Sequence, residues 1–144
     1  MKISIITAVY ARAATIGQAI DSVSRQSHRD IEHIIIDGAS PDGTMAVVRQ
    51  RQHARMTICS EPDEGIYDAL NKGVARATGD VIGVVHSDDF LAHDSVLSMI
   101  AAAFADPRVD AVYGDLVYVP ADDPSRTLRY WRAGAYSRQK LAWG

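Results

Sequence analysis

Val81-Ile82-Gly83-Val84-Val85 is a run of apolar residues and glycine that ends directly in His86-Ser87-Asp88-Asp89. A run of this length predicts a strand buried on both faces, as in a parallel sheet. The two carboxylates after it must find water, a metal ion or a ligand, because a buried unpaired charge is costly. A second run, Ile34-Ile35-Ile36, ends in Asp37. Two strands therefore deliver acids at their carboxyl ends, where open α/β sheets bind ligands.

The size and charge of the chain exclude several classes of protein. Its 144 residues fit one domain, and its net charge of −3 comes from interspersed signs that form no basic stripe for nucleic acid. No apolar run approaches the roughly 20 residues that span a bilayer, and the apolar start is too short for a signal sequence. Cys59 is the single cysteine, which is typical of a reduced compartment. We expect a cytoplasmic protein, with peripheral membrane contact left open.

Strand-like and helix-like spacings of apolar residues alternate along most of the chain. The predicted strands cover residues 3–9, 32–37, 56–60, 80–85 and 109–119. Predicted helices begin near residues 16, 44, 66 and 97, each after a strand. This alternation implies βαβ crossovers and a mainly parallel sheet with helices on both faces. The predicted fold is α/β and Rossmann-like, with residues 1–144 as a single domain.

The pattern weakens after Pro120. The segment Thr127 to Arg132 predicts one more strand, antiparallel and at an edge of the sheet. The chain finishes at Leu141-Ala142-Trp143-Gly144, with neither a polar tail nor a helix stop signal. We therefore expect a domain cut short at its C-terminus, with exposed apolar surface that favours a homo-oligomer.

The pair Asp88-Asp89 suits a metal site for a bound nucleotide. Mg²⁺ usually takes one or two carboxylates together with substrate phosphates and water, so an adjacent acid pair suffices. An equally good interpretation is that one of the two acids caps the turn or helix that follows. The pattern leaves both interpretations open.

The loop after the second strand also carries acids. Asp37 lies at the strand tip, where a carboxylate can accept a hydrogen bond from a base or ribose. Asp42 and Thr44 are better explained as caps of the next helix.

In the third predicted helix, Asp68 and Lys72 lie one turn apart. An ordinary surface ion pair explains this spacing. Alternatively, Lys72 contacts a phosphate and Asp68 and Asn71 face the same cleft.

Other common sites lack their motifs. The histidines show no metal-ligand spacing with Cys59 or with one another, which argues against zinc. His86 precedes the acid pair, but a histidine satisfied at a strand end is the better explanation. The sequence has no Walker loop, no G-x-G-x-x-G and no G-x-S-x-G.

Four segments in sequential order resemble glycosyltransferase family 2, a group of nucleotide-sugar transferases with the GT-A fold. They are Ser4–Tyr10, Ile36–Thr44, Asp63–Gly73 and Ser87–Asp89, and Tyr113-Gly114-Asp115 is also similar. The resemblance covers about residues 3 to 119.

The resemblance implies a role for each matching position. Asp37 would hydrogen-bond the base, and Asp88 would lie against the ribose and diphosphate. Asp89, the last acid of a DxD-like motif, would bind Mn²⁺ or Mg²⁺ with Asp88, and the metal would neutralise the departing nucleoside diphosphate. The reaction would be an inverting transfer to a hydroxyl of a saccharide or lipid-linked acceptor. The residues that would bind the nucleotide-diphosphate sugar are Thr7, Ala8, Tyr10, Asp37, Asp68, Asn71, Lys72 and Asp88.

The sequence departs from the family pattern in three places. The family commonly has Asn at the positions of Ala11 and His86, and the second difference bears on metal or sugar preference. Inverting members also carry a downstream acid that deprotonates the acceptor. We assign no base here, because Asp115 belongs to the strand motif and Asp122 and Asp123 lie in a turn.

Two other functions stay open. The missing base favours a nucleotide-sugar-binding module or an inactive remnant. A nucleotidyltransferase is less favoured, because Ala8–Arg12 contains one charge and no glycine, unlike a phosphate-binding loop.

Overall fold

The computed structural model describes residues 1–136, and the chain divides into two compact units, Met1–Ala105 and Asp106–Gly144. None of the helices within residues 1–136 is long and apolar enough to cross a membrane. The first unit alternates strands and helices: β1 (Ile3–Val9), α1 (Ile16–Ser24), β2 (Ile31–Asp37), α2 (Thr44–Gln50), β3 (Met56–Ser60), α3 (Ile66–Val74), β4 (Val81–Val84) and α4 (Val96–Ala103). The second unit contains β5 (Leu116–Tyr118) and β6 (Arg129–Trp131).

The first unit is built on a four-stranded sheet in the order β3-β2-β1-β4. All three strand pairs are parallel, and Val9, Asp37 and Ser60 stand side by side where β1, β2 and β3 end. The predicted α/β fold is confirmed, and β1 and β3 have the predicted bounds. Because the strands are parallel, the loops that follow them meet at one edge of the sheet.

Helices cover both faces of the central strands, which explains their continuous runs of isoleucine. On one face, Ile5 and Val9 of β1 pack with buried residues of α1, α2 and α4. On the other face, Ile34 and Ile36 of β2 pack with Ala69 of α3. Helix α3 lies so close to β1 that a Cβ atom at Gly73 would collide with the buried side chain of Ile6. The absence of a side chain at Gly73 therefore allows α3 to pack this close to β1.

The prediction that β4 is buried on both faces is wrong. Val81 and Gly83 are half-buried, while Ile82 is 45% exposed and Val84 is 47% exposed. Within residues 1–136, β4 pairs only with β1 and forms an edge of the sheet. Its apolar composition resembles that of a central strand, so composition alone did not distinguish the two positions.

The second unit is a small antiparallel pair. Leu116 pairs with Trp131 and Tyr118 with Arg129. The predicted strand over residues 109–119 is reduced to Leu116–Tyr118, and β6 pairs with β5 in a separate sheet instead of extending the four-stranded one. Asp115 accepts hydrogen bonds from the Tyr130 hydroxyl (2.6 Å) and the Ala133 N–H (2.9 Å), which ties the two strands together.

A network of paired polar groups lies at the amino ends of β1, β2 and β4. The Glu32 carboxylate forms an ion pair with Lys2 (2.8 Å) and accepts hydrogen bonds from Ser4 and Thr78. Asp80 accepts a hydrogen bond from the Lys2 backbone N–H (2.7 Å). Burial raises the pKa of Glu32, but hydrogen bonds from Lys2, Ser4 and Thr78 outweigh it and lower the pKa to about 2. The charged groups at the amino ends of these strands are therefore neutralised by ion pairs and hydrogen bonds with neighbouring residues.

Candidate functional site

A cleft of about 900 Å³ opens at the carboxyl ends of the strands in the first unit. Its walls come from the end of β1, the loops after β2 and β4, and the segment that leads into α3. Residues in these walls include Val9, Tyr10, Gly38, Pro62, Ile66 and Ser87. The cleft lies at the edge where the sequence predicted a site, and its size suits a small organic ligand.

The loop after β1 is fastened to the loop after β2 by three hydrogen bonds. The backbone N–H of Ala11 donates to Ser40 Oγ (2.9 Å), and that of Arg12 donates to Thr44 Oγ1 (2.8 Å). The third runs from the Ala13 N–H to Asp42 Oδ2 (3.3 Å). Ala11 has a φ of 51°, a left-handed conformation that costs a non-glycine residue energy. The hydrogen bonds hold this turn at the mouth of the cleft.

Asp42 and Thr44 have the structural role that the sequence favoured. Asp42 Oδ1 accepts a hydrogen bond from the backbone N–H of Thr44 (3.0 Å) at the start of α2. It also accepts one from the Thr44 hydroxyl. Neither residue lines the cleft, so both organise the loop beside it.

Two residues predicted to bind the donor are buried under the cleft instead of lining it. Asp37 has no exposed surface, and its carboxylate accepts hydrogen bonds from the Ser60 hydroxyl (2.6 Å) and the Ser40 N–H (3.2 Å). Thr7 is also fully buried, and its Oγ1 lies 2.9 Å from Nε2 of His33. Burial and the nearby His53 lower the pKa of His33 to about 3.

Ala8, Tyr10 and Asp88 line the cleft, as the resemblance implies. Tyr10 is 59% exposed, so its ring offers a free aromatic face. Asp88 and Asp89 are both exposed, and within residues 1–136 their carboxylates form no hydrogen bond or ion pair. The Asp89 backbone N–H donates to the carbonyl of His86 (3.0 Å), which makes a tight turn after β4. Two carboxylates without a hydrogen-bond or ion-pair partner in the described part of the chain thus lie at the cleft, Asp88 in its wall and Asp89 next to it in the sequence.

The acid pair fits a cation that needs few protein ligands. The described residues contain no cluster of three or more His, Cys, Asp or Glu side chains suited to a metal ion. Mg²⁺ and similar cations bind through one or two carboxylates and complete their shell with phosphates and water. Asp88 and Asp89 supply this kind of oxygen ligand, and half-buried His86 lies in the same wall.

The segment before α3 shapes the opposite wall. Gly65 has a φ of 110°, a region that favours glycine, and its N–H donates to Asp63 Oδ1 (2.9 Å). A Cβ atom at Gly38 would lie 2.5 Å from Asp63 Oδ2. A side chain at position 38 would therefore displace the Asp63 carboxylate, which accepts the hydrogen bond from Gly65.

Asp68, Asn71 and Lys72 lie on α3 outside the residues that line the cleft. The Lys72 ammonium pairs with Asp68 (3.0 Å) and Glu61 (3.4 Å) and donates to the carbonyl of Pro62 (2.9 Å). A hydrogen bond from the Glu64 N–H, and then one from Lys72, lowers the pKa of Asp68. The ion pair that the spacing predicted is present.

Sequence reasoning missed several residues of the cleft. Arg12, Asp63 and Ile66 line it; Asp63 and Ile66 belong to the family-like segment Asp63–Gly73 but were given no role, and Arg12 lies in none of the four segments. Arg12 follows Tyr10-Ala11 directly, and this position next to a strand end was the available signal. Its significance depends on the turn at Ala11, which the sequence did not predict.

The chain is similar to a known protein family and to curated members of it. The model of the family "Glycosyl transferase family 2" matches residues 4–144. A PGL/p-HBAD biosynthesis glycosyltransferase of Mycobacterium bovis is 34% identical over 142 residues, which are 96% of this chain and 53% of that protein. The chain thus spans about half the length of the curated relatives that it matches.

Solved structures agree with this match. The mannosyltransferase PcManGT of Pyrobaculum calidifontis, in complex with GDP-Man and Mn²⁺, aligns with a TM-score of 0.70 and 26% identity over 82% of this chain and 35% of that one. Residues 1–349 of TarS from S. aureus, in complex with UDP-GlcNAc, align with a TM-score of 0.61 and 25% identity over 74% of this chain and 32% of that one. The fold is GT-A, and the chain belongs to glycosyltransferase family 2.

Proposed function

We propose that the cleft binds a nucleotide-diphosphate sugar and that the protein transfers the sugar, with inversion, to a hydroxyl acceptor. The observation that carries the proposal is the position of Asp88. It lines a cleft at the carboxyl ends of the strands, with Asp89 beside it, and neither carboxylate is engaged within residues 1–136. Unpaired carboxylates placed in this way suit a metal-bound diphosphate.

The related structures support the donor class. PcManGT was solved with GDP-Man and TarS with UDP-GlcNAc, so a nucleoside diphosphate is the shared chemistry. In this chain, exposed Tyr10 offers a ring on which a base can stack, and the small side chain of Ala8 lines the same cleft. Asp37 acts as a positioning residue, because Asp37 holds Ser40 and Ser40 holds the turn at Ala11.

Asp88 and Asp89 would hold Mn²⁺ or Mg²⁺ in this proposal. Such a cation supplies charge neutralisation for the departing nucleoside diphosphate. The two carboxylates would place this cation beside His86 and Ser87, which line the same cleft. PcManGT, which was solved with Mn²⁺, is consistent with this assignment.

The binding test is thermal unfolding of the chain with UDP or GDP, with and without Mn²⁺. A ligand at about 100 times its Kd stabilises the folded state by about 2.7 kcal/mol. We expect a rise in Tm that requires Mn²⁺ and is lost in Asp89→Ala but kept in the surface variant Asp122→Ala. Equal Tm values for every nucleotide, with and without Mn²⁺, would overturn the proposal.

A binding module without turnover is the second candidate, and Asp115 favours it. This acid is occupied by the Tyr130 hydroxyl and the Ala133 N–H, so we do not assign it as the base that activates an acceptor. Release of UDP or GDP from a nucleotide sugar, measured with a saccharide or lipid-linked acceptor, distinguishes the two. Turnover that is lost in Asp89→Ala would exclude the module. Cytoplasmic location and homo-oligomer formation stay predictions.

A further inference from the structure

The cleft carries more negative than positive charge of its own. Its charged wall residues are Arg12, Asp63 and Asp88. A nucleoside diphosphate brings further negative charge, which the two carboxylates would repel. A cation on Asp88 and Asp89 offsets part of this charge, and the remaining phosphate oxygens need a donor from the protein.

Lys72 is poorly placed to supply that donor. Its ammonium already contacts two carboxylates and one carbonyl, those of Asp68, Glu61 and Pro62. The hydrogen bond that Lys72 donates to Asp68 raises the pKa of Lys72, and burial opposes that rise. To reach a phosphate, Lys72 would have to give up these contacts, and their loss would offset the gain.

Arg12 has the opposite arrangement. Its backbone is fixed at both ends, because its N–H donates to Thr44 Oγ1 (2.8 Å) and its carbonyl accepts from the N–H groups of Thr15 (3.1 Å) and Ile16 (3.0 Å). Its exposed guanidinium has a single weak contact within residues 1–136, at 3.4 Å from the carbonyl of Ala11. The backbone of Arg12 is therefore held in place, while its guanidinium is available to contact a ligand.

We infer that Arg12 binds the diphosphate of the donor and makes the cleft select nucleoside diphosphates over nucleosides. This inference rests on the proposed function and assigns one residue within it. A guanidinium presents two parallel N–H donors to a pair of phosphate oxygens, a geometry that an ammonium cannot match. The left-handed turn at Ala11 and its hydrogen bond to Ser40 position Arg12 at the wall.

The test measures Kd for UDP and GDP with Mn²⁺, and for uridine and guanosine, in wild type and four variants. We expect Arg12→Ala to weaken diphosphate binding about tenfold and to leave nucleoside binding within about twofold. Arg12→Lys keeps the charge without the fork and should lie between wild type and Arg12→Ala. Lys72→Ala tests the competing assignment, and Arg29→Ala removes an exposed arginine at the opposite edge of the sheet.

The outcomes separate the two proposals. If wild type binds neither UDP nor GDP, the proposed function fails and the role of Arg12 fails with it. If wild type binds UDP or GDP and Arg12→Ala binds it equally well, or Lys72→Ala loses more affinity than Arg12→Ala, only the assignment of Arg12 is overturned. An equal loss for diphosphate and nucleoside would show a merely structural role. Thermal unfolding of each variant checks that the fold is intact.

Discussion

The charged groups at the two ends of the strands in the four-stranded sheet differ in whether they are paired. The amino ends of the strands form the amino edge of the sheet, and their carboxyl ends form the carboxyl edge. At the amino edge, Glu32 pairs with Lys2 and accepts from Ser4 and Thr78. At the carboxyl edge, Asp88 and Asp89 have no such partners within residues 1–136. Paired charges stabilise the fold, whereas open charges are available to a ligand.

The carboxyl edge is nevertheless well ordered. Its hydrogen bonds join one loop to another: Ser40 to Ala11, Thr44 to Arg12 and Asp42 to Ala13. The backbone of the loops after β1 and β2 is thus fixed, while the charged groups of Arg12, Asp88 and Asp89 are available to a ligand. This combination is what a preorganised site requires.

The largest expected effect comes from Asp88→Asn combined with Asp89→Asn. Removing both carboxylates should weaken Mn²⁺-supported binding of UDP or GDP at least about 100-fold, because ligand loss exceeds the cost of losing an outer-shell partner. The free energy of unfolding should change by less than about 0.5 kcal/mol, since both side chains are exposed. Calorimetric titration and urea unfolding measure the two quantities. A large loss of stability with binding unchanged would contradict the contrast between the edges.

Lowering the pH should destabilise the fold as a whole, including both edges of the sheet, through His33. This residue lies on β2 against Thr7, with His53 and Arg55 nearby. The pKa of His33 is about 3 in the folded chain and near 6.5 when unfolded, so between these values the unfolded chain binds more protons. The free energy of unfolding should fall by about 1.4 kcal/mol per pH unit as the pH drops below 6.5.

Urea unfolding at pH 7, 6 and 5 measures this dependence. His33→Gln should be less stable at pH 7 and should show a smaller slope. Burial and Arg55 also lower the pKa of His53, so a slope of the same sign remains in the variant. Identical slopes for wild type and variant would exclude His33 as the source.

Glu32→Gln tests the amino edge alone. At pH 7 it should lower the free energy of unfolding by about 1 kcal/mol, less than the pKa displacement implies, because water screens part of the network. The folded pKa of Glu32 is depressed to about 2, so this stability is present above about pH 4.5 and is lost as the pH falls toward 2.

The variant and wild type should therefore converge at low pH in urea unfolding. UDP or GDP binding should be unchanged at pH 7, and Asp110→Asn, at an exposed position, should leave stability unchanged. A loss of nucleotide affinity in Glu32→Gln would mean that the two edges are coupled.

Sequence reasoning reached the fold because the signals of β1, β2 and α3 are local. Short runs rich in isoleucine and valine indicate the buried strands β1 and β2, and a period of 3.6 residues indicates α3. It misjudged β4, because whether an apolar strand is central or at an edge depends on neighbours far along the chain. It predicted β6 correctly as an antiparallel strand but placed it at an edge of the main sheet, whereas β6 pairs with β5 in a separate sheet.

Part of the site could be predicted, because it depends on where the strands end. Strand ends place Tyr10 and Asp88 at the cleft, and parallel pairing is enough to predict that. The burial of Thr7 and Asp37 depends on side-chain contacts with His33, Ser40 and Ser60. No spacing rule encodes such contacts, so their roles could not be separated from those of the residues that line the cleft.

The smallest expected effect concerns the strained turn at the carboxyl edge. Ala11 has a φ of 51°, and asparagine tolerates this region better than alanine, so Ala11→Asn should raise the free energy of unfolding by about 0.5 kcal/mol. Ala75, an exposed residue with a φ of −63° at the end of α3, is the matched control, and Ala75→Asn should be neutral or destabilising. Urea unfolding of both variants measures the difference. A gain at Ala75 equal to that at Ala11 would show that the turn stores no strain, and the backbone of Arg12 would then be held by its hydrogen bonds to Thr44 and α1 alone.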